Sequence, residues 1–200
     1  MKDLRDFNSL SLMQQQAILV KWNTRAGLWQ LKHKPESTTN YSLSGLTQIT
    51  PKIIEELEEI NKKKPIEDLF MGFNEFDQLP ENLFVNLTDL KWITVSDNSL
   101  KSLPPHIFKN LRKLKSLDLR RNQIQKVADD QFNGLDSLNF IHLDDNHIQC
   151  LSLNIFSALN NLSTVSFGGN FLPAFIDVSF FVGLKDCKIF KGKQRFGPFQ

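Results

Sequence analysis

From Ile66 onward the apolar positions of the chain recur every 24 residues. The first column is Ile66, Leu90, Leu114, Leu138 and Leu162. Three residues on stand Leu69, Ile93, Leu117, Ile141 and Val165, and two further on Met71, Val95, Leu119, Leu143 and Phe167. An unbroken asparagine column follows at Asn74, Asn98, Asn122, Asn146 and Asn170. Two more apolar columns begin at Phe76 and Leu79, and a phenylalanine column runs through Phe84, Phe108, Phe132, Phe156 and Phe180. Leu87, Leu111, Leu135 and Leu159 form the last column, in which Gly183 breaks the series. Repetition of this kind, in a chain that is 40% hydrophobic, cannot come from composition alone.

The head of each unit alternates apolar and polar residues, a period of two that predicts a short strand with one face buried. One strand per unit, stacked in order, makes a parallel sheet, and the rest of each unit must return the chain along the outer side. The asparagine falls where the chain leaves the strand, and its amide can donate to and accept from the backbone of neighbouring turns. The phenylalanines fall on the return segment, as in the stretch Pro80 to Leu87, and are expected to stack as an apolar spine on the convex side.

Residues 114–124, with Leu114, Leu117, Leu119, Asn122 and Ile124 at the spacing L-x-x-L-x-L-x-x-N-x-L, resemble the leucine-rich-repeat family in its 24-residue typical form. The resemblance covers residues 66 to about 184. It implies an α/β solenoid, a horseshoe with a parallel concave sheet, short helical or irregular convex segments and a partly helical N-terminal cap. It further implies a non-catalytic module that binds a protein ligand on the concave face. Similar repeats occur in Toll-like receptors, Slit-type matrix proteins and secreted insect and lamprey recognition proteins. The implied role is therefore recognition or signalling of the receptor-like or innate-immune kind, most often outside the cell.

The ends are less regular. Residues 42–65 read as an irregular first repeat, with Leu46 and Ile49 matching Leu100 and Leu103. Thr50 before Pro51 starts a helix, expected over 51–61, in which Ile53, Ile54, Leu57 and Ile60 share one face. Residues 1–41 hold a candidate helix at 11–22 and the large apolar groups Trp22, Leu28 and Trp29, and are either a cap over the open end or a loose tail. Five full repeats span 66–185. Ile189 sits where the next strand would place its second apolar residue, and the basic tail 186–200 abandons that sixth repeat.

Composition narrows the function further. Residues 65–185 carry 10 basic and 14 acidic side chains, without the clustered basic face of a nucleic-acid reader. The aliphatic stretch Ala17 to Val20 is far shorter than the roughly 18 residues of a membrane span. The start, Met1 to Asp6, has two acids and no apolar block after it, so no secretory signal is expected and a cytoplasmic site stands as the alternative to an extracellular one. Cys150 and Cys187 lack any metal or redox spacing. The sequons at Asn40, Asn86 and Asn161 are no more than composition gives.

Catalytic motifs for phosphate binding, nucleophilic attack or zinc hydrolysis are missing from the sequence, and neither a cofactor nor a small-molecule substrate is expected. His142, Asp144, Asp145 and His147 are the nearest approach to a metal cluster, and they read more simply as solvated repeat positions. What remains is the concave face, formed by the third, fifth, seventh and eighth position of each repeat. It places Phe70, Phe73, Trp92 and Phe140 on the same surface as Asp97, Asp118, Arg120, Arg121, His142, Asp144 and Asp145. Aromatics beside an arginine pair flanked by acids have the composition of a protein-binding hot spot. The competing reading is that Arg120 and Arg121 merely neutralise Asp97, Asp144 and Asp145 on adjacent strands. An intracellular adaptor or effector, a truncated product with little function, and an enzyme housed in residues 1–64 are the alternatives.

Overall fold

The computed structural model describes residues 40–152, 154–173 and 188–190. Among the described residues, seven three-residue strands form one parallel sheet in sequence order. They are β1 (Asn40–Ser42), β2 (Asp68–Phe70), β3 (Trp92–Thr94), β4 (Ser116–Asp118), β5 (Phe140–His142), β6 (Thr164–Ser166) and β7 (Lys188–Phe190). From β2 to β7 each residue pairs with the one 24 positions later, as Leu69 does with Ile93 and Val165 with Ile189. The repeat read from the sequence is thus the register of the sheet. β1 begins at Asn40, two residues ahead of the expected start of the first repeat, and 28 residues separate it from its β2 partner Asp68.

The longer first unit makes room for α1 (Pro51–Lys63), which runs two residues past the expected end at 61. Pro51 occupies the first turn, where its missing N–H costs nothing, and Lys62 and Lys63 lie in the last turn, where the helix dipole favours cations. Ile54 and Leu57 are buried in the core, with Ile53 and Ile60 packed at its edge. Later repeats return differently. In place of helices they use successive i to i+3 turns, such as the N–H groups of Leu83, Val85 and Leu87 donating to Pro80, Asn82 and Phe84 at 3.1, 3.2 and 3.1 Å. Gly134, at φ 86°, belongs to one such turn; a Cβ there would stand 2.6 Å from the Lys109 carbonyl oxygen.

Phe84, Phe108, Phe132 and Phe156 are buried as expected, and stack in pairs at ring separations of 6.0 Å (Phe84 with Phe108) and 6.1 Å (Phe132 with Phe156). The asparagine column forms a continuous ladder. Asn122 Nδ2 donates to the Val95 and Leu119 carbonyls at 2.9 and 3.1 Å, and its Oδ1 accepts from the Leu100 N–H at 3.1 Å. The same three bonds recur at Asn98, Asn146 and Asn170. Each asparagine therefore satisfies backbone groups of its own repeat and of the one before it, all away from water. The candidate cap in residues 1–39, Phe180, Gly183, Cys187 and the tail from 191 lie outside the described residues.

Candidate protein-interaction face

The residue before each ladder asparagine takes a left-handed backbone: φ is 57° at Phe73, 57° at Asp97, 52° at Arg121, 54° at Asp145 and 69° at Gly169. This conformation turns the chain off the strand, and sends the N–H of each such residue from 73 to 145 to a carbonyl of the next repeat, as Arg121 to Asp144 at 3.0 Å. The eighth position is thereby fixed at the rim of the sheet.

Two arginine pairs lie at the centre. Arg120 Nε and Nη2 reach Asp118 Oδ1 and Oδ2 at 3.0 and 2.7 Å, and the Arg120 N–H adds a third bond to Oδ1 at 3.1 Å. Asp118, outward-facing in the sequence reading, is in fact only 4% exposed, because the guanidinium folds over it. Arg121 forms a second fork with Asp97 in the preceding repeat, through bonds of 2.6 and 3.2 Å. The hydrogen bonds to these carboxylates raise both arginines above their ordinary range, so each stays charged. The expected set of partners is thus half right. Asp97 does neutralise Arg121, whereas the partner of Arg120 is Asp118 of its own repeat.

Asp144 is engaged elsewhere. Its carboxylate accepts a short hydrogen bond from the Ser166 hydroxyl and another, at 2.8 Å, from the Gly168 N–H. Since Ser166 spends its proton on Asp144, the 2.8 Å contact between Ser166 Oγ and His142 Nδ1 assigns the proton there to the imidazole. Burial lowers the His142 pKa, with Arg120 adding to the effect and Asp118 and Asp144 opposing it, so the ring is neutral near pH 7. His147 packs edge-on against Phe171 at 5.7 Å, away from this network. The Asp145 carboxylate leans on Gly169, where a Cβ would collide with it.

The aromatic residues divide. Phe70 and Phe73 are half-buried, whereas Trp92 and Phe140 are 42% and 38% exposed. Both belong to the third position, in register on either side of Ser116, which is 8% exposed. Ser116, Ser166 and Gly168 are participants that the sequence reading passed over. The 24-residue columns held the signal, because Ser166 is the repeat neighbour of His142 and Gly168 that of Asp144.

A stacked parallel sheet with an asparagine ladder and one charged, aromatic face defines a repeat solenoid of the interaction-module class. The leucine rich repeat family model matches residues 65–124 and 112–172, and the chain belongs to that family. Domains of this family are typically protein-interaction modules without catalysis. Among solved structures the chain is similar to the leucine-rich repeat domain of APL1B, at 22% identity and TM-score 0.57 over 82% of this chain and 44% of that one. It is similar to TLR13 in a complex with ssRNA13, at 24% identity and TM-score 0.67 over 82% of this chain and 23% of that one. An internalin (inlF) from Listeria monocytogenes str. 4b F2365 shares 24% identity at TM-score 0.55 over 76% of this chain and 39% of that one. The chain thus spans less than half the length of each. No curated protein gives a match. No helix among the described residues is long and apolar enough to cross a membrane.

Proposed function

We propose that this chain is a recognition or signalling module that binds a protein ligand on the concave sheet, around Trp92, Phe140 and the Asp97–Arg121 pair. The observation that carries this reading is the exposure of Trp92 and Phe140. Three large hydrophobic side chains are exposed among the described residues, and two of them stand in register on this one face. Rigid aromatic anchors beside arginines held in fixed forks supply contact area at little entropic cost. Phe70, Phe73, Asp118, Arg120, His142, Asp144 and Asp145 extend the same surface. A protein ligand is favoured over a polynucleotide because Asp97, Asp144 and Asp145 offset the positive charge of the arginines.

The test compares capture of native protein partners by wild type, by Trp92→Ala with Arg121→Glu, and by a convex control, Lys109→Glu with Asp136→Lys. The face variant should bind a captured partner more than about tenfold more weakly, as loss of a hot spot does. The control should stay within a few-fold, and neither should shift Tm by more than a few degrees. Loss through the control with retention by the face variant would move the site to the convex side.

A further inference from the structure

The imidazole of His142 has one nitrogen engaged and one open. Nδ1 meets Ser166 Oγ at 2.8 Å, Ser166 donates to Asp144, and the other oxygen of Asp144 takes the Gly168 N–H at 2.8 Å. Every link of this chain runs one way. A carboxylate only accepts, so the serine gives Asp144 its single proton and its oxygen is left to accept from Nδ1–H. Nε2 of the neutral ring therefore carries a lone pair. It makes no hydrogen bond among the described residues, where Ser96 Oγ is the one side-chain nitrogen or oxygen that is both buried and without a partner. Nε2 thus reaches solvent.

The surroundings preserve this arrangement. Asp118, opposite His142 on β4, would draw a proton to the nearer ring nitrogen, but both its oxygens are taken by Arg120 at 3.0 and 2.7 Å. On the other side β6 presents Thr164 and Ser166, neither of which titrates. Asp118, Arg120 and Asp144 are the charged groups acting on the ring. Phe140, two residues earlier on the same face of β5, is 38% exposed. The face thus sets an apolar ring about 6.6 Å along the strand from a hydrogen-bond acceptor. A carbonyl or carboxylate brought against Nε2 would oppose lone pair to lone pair and weaken binding by about tenfold or more. A side chain with an apolar body and a hydroxyl tip suits both positions at once, as tyrosine does.

We infer that His142, held in one tautomer by Ser166 and Asp144, accepts a hydrogen bond from the protein ligand, and that a tyrosine hydroxyl whose ring lies against Phe140 supplies it. The inference rests on the concave-face reading above and adds a chemical requirement on the ligand. The lone pair that takes this hydrogen bond is also the one that takes a proton. Affinity is therefore full where the ring is neutral and declines as pH falls through the His142 pKa, which burial holds below 6.5.

The test follows the imidazole nitrogens of the full chain, labelled with 15N, by NMR. At pH 7.5 His142 should show a proton on Nδ1, and Ser166→Ala should let it move toward Nε2. N-acetyl-tyrosinamide should shift the Nε2 signal with a Kd in the millimolar range or above, and N-acetyl-phenylalaninamide, which lacks only the hydroxyl, should bind at least about fivefold more weakly. Below the His142 pKa the tyrosine probe should lose up to about tenfold per pH unit. His142→Phe, followed through the β5 amides, should bind both probes alike at either pH. A proton on Nε2 of the wild type, equal binding of the two probes, or tyrosine-probe affinity that holds or rises in acid would overturn the assignment. Should the captured partner be lost through Trp92→Ala with Arg121→Glu yet be indifferent to His142→Phe and to pH, His142 is not its acceptor and the concave face still binds.

Discussion

Arg121 grips Asp97 of the preceding repeat through two bonds, at 2.6 and 3.2 Å, although both residues sit in left-handed backbone. The turn geometry thus brings the two side chains side by side at the rim. Their exposure limits the pair to about 0–1 kcal/mol, a size comparable with the cost of a left-handed non-glycine residue. Arg121→Gly should therefore change stability by less than about 1 kcal/mol, since relief of the backbone offsets the lost pair. Arg121→Val, which loses the pair and is β-branched, should cost about 1–3 kcal/mol. Urea denaturation of both variants reads the difference, and equal losses would show that the backbone at this position carries no strain.

The asparagine ladder predicts a second contrast. Asn122→Ala strands the buried Leu100 N–H, whose desolvation costs about 1–3 kcal/mol, while the Val95 and Leu119 carbonyls each keep one donor, from Asn98 and Asn146. Asn110, in the preceding repeat and off the ladder, makes a single exposed bond to the Val85 carbonyl at 3.2 Å. Asn110→Ala should cost well under about 1 kcal/mol. Thermal unfolding of the two variants side by side checks this, and equal shifts would remove the ladder from the account of stability.

His142 predicts the pH dependence. Its pKa in the folded protein lies below the ordinary 6.5 because the ring is buried. As pH falls, the unfolded chain takes up this proton first, so the contribution of His142 is complete above about 6.5 and declines below it until the folded protein protonates too. Stability measured between pH 7.5 and 5 should fall for wild type and fall less steeply for His142→Gln. Parallel curves for the two proteins would show that the ring is not held neutral.

Ser96 predicts a gain. Its hydroxyl is buried and makes no hydrogen bond among the described residues, so it bears a desolvation cost without return. Ser96→Ala should raise stability by about 1 kcal/mol. A loss of that size on chemical denaturation would mean that the hydroxyl has a partner.

The period of 24 was legible because each column has one structural duty. Asn74 to Asn170 must all donate and accept at the same turn, and Phe84 to Phe156 must fill the same spine. The concave face was legible in position and not in pairing. Columns place Arg120 between Ser96 and Asp144 of the neighbouring repeats, yet the guanidinium reaches back to Asp118, two residues earlier in its own repeat, where three bonds converge. Exposure was equally hard to foresee, since Phe70 and Trp92 read alike in sequence and only Trp92 stands clear. α1 runs beyond its expected end at 61 because Lys62 and Lys63 suit a helix C-terminus.

The ladder gives the array a direction. The N–H of Phe76 is met by Asn98, that of Leu100 by Asn122 and that of Ile124 by Asn146, so each turn is completed by the turn that comes after it. A unit of 24 residues removed from the interior leaves every such handshake intact between its new neighbours. A unit of another length must take up the difference in its return segment, as the longer first unit does around α1 while the Leu46 N–H still meets Asn74 at 2.9 Å. Whole repeats can therefore be added to or taken from the concave surface with the ladder intact, and the exposed third positions, such as Trp92 and Phe140, can be exchanged without touching the asparagines.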